Sequence, residues 1–165
     1  MSRAALIRAG GMAAIVGGVL RAVASFAPGY EVERQVLYLV VDMFLLLGLL
    51  GFYEVRHQDI GRTGALGFLL AVFGLAAVRS SRSIPGLDLY PAGALAFVVG
   101  LIAMCGSAWS AKTLAGWVPV AFVVSALLGL VGTVFGNAES LVILSGVSFG
   151  AAFAELGRQV RSAAR

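Results

Sequence analysis

Six long apolar runs use most of the chain, at about 5–26, 35–55, 64–80, 91–110, 116–136 and 139–157. A helix needs roughly 20 apolar residues to cross the hydrocarbon core of a bilayer. Within each run the apolar positions are continuous rather than alternating. That rejects the strands of a membrane β-barrel, the other structure able to span. The pattern predicts an all-α, polytopic integral membrane protein, a bundle of six transmembrane helices joined by short connections. It forms a single membrane domain over 1–165 with no soluble domain left over. Spans 1, 3 and 5 each follow a basic residue, at Arg8, Arg62 and Lys112. The segments "RAGGMAAIVGGVL" and "RTGALGFLLAVFG" share basic, glycine and apolar positions about 54 residues apart. This faint repeat predicts three helical hairpins.

Local punctuation agrees with the spans. Pro28-Gly29 and Pro85-Gly86 are turn signals in outer loops. Pro91 and Pro119 suit first turns of helices, where no amide donor is lost. Asn137 is an expected N-cap for span 6, with Glu139 complementing the helix dipole.

Composition explains why lipid must be the solvent. The chain is 60% hydrophobic and 12% charged, with a mean hydropathy of +0.97. A soluble domain carries about twice that share of charge. Charge then orients the bundle. Arg3, Arg8, Arg56, Arg62, Lys112, Arg158, Arg161 and Arg165 fall on one side, and only Arg34, Arg79 and Arg82 on the other, eight against three. The positive-inside bias puts both termini in the cytoplasm of a bacterial inner membrane. Trp109 and Trp117 mark the inner interface, Tyr30 and Tyr90 the outer one. The basic tail favours anionic membrane lipid. No basic stripe is interleaved with aromatics, so nucleic acid is not an expected partner.

Arg21 breaks the first apolar run. Arg3 and Arg8, the run itself and "AVA" at 22–24 resemble a signal peptide. A charge at Arg21 inside the stretch that should be apolar argues for a retained span instead. At 100° per residue, Gly10, Ala14, Gly17 and Ser25 lie within about 40° of Arg21. Such a small-residue face lets helices approach closely. On span 2, Gln35, Tyr38, Leu49, Tyr53 and Arg56 lie within about 40° of Asp42, while Gly48 and Gly51 are turned away. An antiparallel first hairpin places positions whose numbers sum to about 62 at one depth, and Arg21 and Asp42 sum to 63. An intramembrane charge is costly and pairing is the usual remedy. Asp42 is the expected answer to Arg21, with Tyr38 and Gln35 nearby and Arg79 joining from the outer end of span 3. Three readings of Arg21 stand: a structural clamp with Asp42, a binding site for an anionic group, and a stem that snorkels to the headgroups.

Other chemistry is thin. The single cysteine, Cys105, excludes an intramolecular disulfide and a cysteine-rich metal site, and the single histidine, His57, excludes a bis-histidine haem within one chain. Cys105 reads as a packing residue and His57 as a loop residue. Glu155 with Arg158 and Gln159 reads as a local surface pair. No catalytic constellation, metal-ligand spacing or cofactor motif is present, so no enzyme, metal or cofactor is expected. The pairs Gly129, Gly132 and Gly136 in span 5 and Gly146 and Gly150 in span 6 have helix-packing spacing, within the chain or in a homo-oligomer or larger membrane complex. The six-span size and small-residue first helix are similar to the substrate-binding components of vitamin transporters that work with a separate energising module. That likeness is of architecture and transfers no ligand residue. The expected function is binding or transport of a small anionic or amphiphilic ligand through an outer-facing pocket. The alternative is a scaffold or regulatory subunit acting through glycine-rich helix faces.

Overall fold

The computed structural model describes residues 3–26, 31–80, 89–134 and 138–163, with the side chains of 31–34 and 133 left undescribed. The expected turns at Pro28-Gly29 and Pro85-Gly86, the markers Tyr30 and Asn137, the glycine Gly136 and the side chains of Arg34, Arg82 and Arg165 lie outside the described residues.

Six helices follow in order: α1 (Arg3–Ala24), α2 (Glu31–Arg56), α3 (Gly61–Ser80), α4 (Tyr90–Ser110), α5 (Trp117–Val134) and α6 (Glu139–Ser162). Five of them are long and apolar enough to cross a membrane. The sixth, α5, is the shortest, an apolar helix of 18 residues. α4 opens with Pro91 in its first turn, as its missing N–H allows. The N-cap of α6 is Ala138, with no side-chain cap bond, and Glu139 stands in the first turn.

α4 ends in a Schellman motif. The Thr113 N–H bonds the Ala108 carbonyl at 2.9 Å and the Lys112 N–H bonds that of Trp109 at 2.8 Å. Lys112 occupies the left-handed position at φ 57°, where glycine is the usual residue.

The described chain divides into two compact units, one of residues 1–55 and 120–165, the other of residues 56–119. In the first, α1 is packed on two sides. Its Gly10, Ala14 and Gly17 meet α2: a Cβ at Gly10 would lie 2.6 Å from Gly51 Cα, and one at Gly48 would lie 2.7 Å from Ala14 Cβ. Position 10 faces 51, 14 faces 48, and 17 faces 44 and 45. This is the register expected of the first hairpin. On its other side, Gly11 and Gly18 meet Gly157 and Gly150 of α6, where a Cβ at Gly157 would lie 2.7 Å from the Ile15 nitrogen. α1 thus makes close antiparallel contacts with both helices.

α6 also packs on α5. Ser125 Oγ donates to the Ser145 carbonyl at 2.9 Å, and Ser145 Oγ donates to the Ser125 carbonyl at 2.8 Å. Ser148 Oγ donates to the Ala121 carbonyl at 3.1 Å. Below these, Phe122, Phe149 and Phe153 form an aromatic cluster with centroids 5.3 to 5.9 Å apart.

The second unit is the α3–α4 hairpin. Gly67, Ala71 and Gly74 pack against Gly93, Phe97, Gly100 and Met104 at backbone distance, and a Cβ at Gly67 would lie 2.7 Å from the Met104 nitrogen. The spacing Gly-x3-Ala-x2-Gly therefore occurs at 10, 14, 17 and again at 67, 71, 74, each time against the helix that follows. The interfacial equivalence runs at an offset of 57 residues, not about 54. The smaller offset aligns the basic residues at the helix starts, which sit outside the packed faces.

Candidate functional site

Arg21 lies on α1 between its two packed sides, one turn before the helix ends. Its guanidinium carbon stands 5.4 Å from the centroid of the Tyr38 ring on α2, a cation–π contact. Its Nη1 donates to Ser25 Oγ at 3.4 Å, and Ser25 Oγ donates in turn to the Arg21 carbonyl at 3.0 Å. α6 makes room for this pair with a glycine. A Cβ at Gly146 would collide with Ser25 Oγ and come within 3.4 Å of Arg21 Nη1. Three helices of one unit thus frame the guanidinium, which is half-buried.

Tyr38 and Asp42 are one helical turn apart on α2, and both are half-buried. The structure brings Arg21 to Tyr38. It does not set the polar stripe of α2 squarely opposite α1. The face that meets α1 carries Phe44, Gly48 and Gly51, roughly 120–180° around the helix from Asp42. Two glycines allow a closer backbone approach than the polar stripe would, and from that stripe Tyr38 reaches Arg21. Gln35 is exposed at the outer end of that stripe. Arg79 is half-buried in the last turn of α3, in the other unit. Sequence reasoning counted Ser25 as a small residue only and treated Gly146 as generic packing. The signal for both was their polarity and size at the depth of Arg21.

A second feature belongs to the α3–α4 unit. A groove of about 660 Å³ is lined by Asp59 to Thr63 at the start of α3 and by residues of the last two turns of α4. On α4 the lining follows a helical stripe, Ala103, Gly106, Ser107 and Ser110. That spacing is legible in the sequence as positions 103, 106, 107 and 110 of one helix. Gly106 opens onto free space, for a Cβ there would meet nothing within 4 Å.

Several other polar groups are locally engaged. Arg158 holds Glu155 in a fork, Nε and Nη2 each 2.6 Å from a carboxylate oxygen, and Gln159 donates to the same group at 2.7 Å. Arg3 Nε pairs with Glu54 at 2.8 Å and ties the start of α1 to the end of α2. Cys105 is fully buried in α4, and His57 is half-buried in the turn after α2. No protein-family model, curated protein or solved structure matches the chain.

Proposed function

We propose that the protein is a six-span bacterial inner-membrane protein, both ends cytoplasmic, that binds or passes a small anionic or amphiphilic ligand at Arg21 from the outer side. The supporting observation is the half-buried guanidinium framed by Tyr38, Ser25 and the glycine at 146. A cation placed there at the cost of a reserved gap in α6 is suited to a carboxylate or phosphate. Asp42 and Gln35, on the same stripe of α2 as Tyr38, set the ligand's orientation. The scaffold alternative needs glycine faces open to other proteins. Among the described residues the glycine stripes of α1, α2, α3, α4 and α6 are instead used inside the chain, which weighs toward ligand binding.

The test is thermal unfolding in detergent against a panel of carboxylates, phosphates and anionic lipids. A bound ligand stabilises the native state by mass action, about 2.7 kcal/mol at a hundredfold excess over Kd. One panel member should raise the melting temperature of the wild type and lose its effect in Arg21→Gln. A shift that survives that change, or no shift with any anion, removes the proposal.

A further inference from the structure

The groove of the α3–α4 unit has a definite hydrogen-bonding character. Ser107 Oγ donates to the Ala103 carbonyl at 2.8 Å, and Ser110 Oγ donates to the Gly106 carbonyl at 3.0 Å. Their protons are committed to their own helix, so toward the groove both hydroxyls act as acceptors. Asp59 adds a carboxylate, which is acceptor-only. Its contact with Arg56 is 3.6 Å, well beyond the 2.7–2.9 Å or so of a charge-assisted hydrogen bond. The carboxylate thus keeps capacity for a further donor. Arg62 is the opposite case. It is exposed, and among the described residues it makes no ion pair or hydrogen bond.

A groove with one free guanidinium, one carboxylate and two acceptor hydroxyls matches a ligand carrying both signs. The anionic part must accept hydrogen bonds and the cationic part must donate them. Asp59 stands in the turn before α3 and Arg62 in its first turn, and both line the groove. The groove's place selects the source. Trp109 and Trp117 bracket the turn after α4, both about half exposed, as ring side chains do at the headgroup level of a bilayer. Ile60, Ile102 and Ala103 supply an apolar wall beside the polar groups. The volume is within the usual range for small-molecule sites.

We propose that this groove binds the headgroup of a phosphatidylethanolamine lipid, with Arg62 on the phosphate and Asp59, Ser107 and Ser110 receiving the ammonium. A phosphatidylcholine headgroup has no N–H to give these acceptors. A phosphatidylglycerol headgroup brings no cation to Asp59.

The experiment uses the full-length protein, delipidated in detergent, with equal mole fractions of the three lipids. Thermal unfolding and lipid adducts in native mass spectra are read in parallel. Phosphatidylethanolamine should raise the melting temperature by roughly 5 °C or more at a hundredfold excess over Kd. The other two lipids should give clearly smaller shifts. Adducts should fall about tenfold in Arg62→Gln and in Asp59→Asn, the loss of one charge-assisted hydrogen bond. Gly106→Leu places a side chain in the groove and should abolish the shift, while Gly106→Ala should keep it. Equal stabilisation by phosphatidylglycerol overturns the zwitterionic match. Persistence of the shift in Gly106→Leu or in Arg62→Gln overturns the site. Equal stabilisation by soluble phosphoethanolamine overturns the assignment to lipid.

Discussion

Gly106 and Gly146 are both glycines inside apolar helices, yet their surroundings are opposite. A Cβ at Gly106 meets open space, whereas one at Gly146 runs into Ser25 and approaches Arg21. Alanine at 106 therefore gains the helix propensity that glycine lacks, about 1 kcal/mol. Alanine at 146 must push aside the Ser25 hydroxyl and loosen the guanidinium, and overpacking of this kind costs about 1–3 kcal/mol. In detergent, Gly106→Ala should melt at or above the wild type and Gly146→Ala clearly below it. Truncating Ser25 to alanine should restore part of the loss, because it removes the nearest colliding atom and leaves the Ser25 Cβ at 2.9 Å. Equal behaviour of the two glycine variants would mean that α6 does not frame Arg21.

At the scale of the helix, the end of α4 is held in a way its sequence disfavours. Lys112 takes the left-handed Schellman position that glycine adopts freely. Lys112→Gly should relieve a cost of about 1 kcal/mol and raise the melting temperature, with unchanged helical circular dichroism. A fall instead would show that the lysine side chain makes an interaction worth more than the strain. The helices themselves were legible in the sequence because each apolar run is long and ends at turn or basic residues. The register of the first hairpin was legible for the same reason, since the short connection fixes which positions share a depth. Which face of α2 meets α1 was not. Polarity drew attention to Asp42, Tyr38 and Gln35, but close packing is decided by the absence of side chains at Gly48 and Gly51. Likewise the Ser125–Ser145 exchange needs the axial alignment of α5 on α6, which periodicity alone does not supply.

Across the whole molecule, orientation rests on charge rather than packing. In the sequence, the two ends of the chain and the connections after α2 and α4 carry most of the arginine and lysine, which is the basis of the proposed orientation. Reporter fusions after residue 165 and near Gly61 should report the cytoplasm. Fusions near Glu31 and Gly86 should report the outside. A periplasmic signal after residue 165 would remove the six-span topology with both ends in the cytoplasm. Arg79 is the residue for which sequence and structure leave most to this scale. Its helix end was readable, but its distance to Arg21 depends on the placement of one unit against the other, which no local pattern encodes.

The two-sided packing of α1 has a consequence for how the chain assembles. Its first partner, α2, is made immediately after it, but its second, α6, is the last helix in the order. Met12 and Arg161 meet although they stand 149 positions apart. Contacts of such long sequence separation form slowly, because a large loop must close before they reward the chain. During synthesis Gly11 and Gly18 must therefore wait beside lipid or a chaperone while α3 and α4, which need only each other among the close glycine contacts, fold as a self-sufficient hairpin. Ribosome-stalled chains ending before α6 should show a protected α3–α4 hairpin and an α1 still open to cysteine labelling at position 11 or 18. The polypeptide closes last at the seam between its own first and final helices.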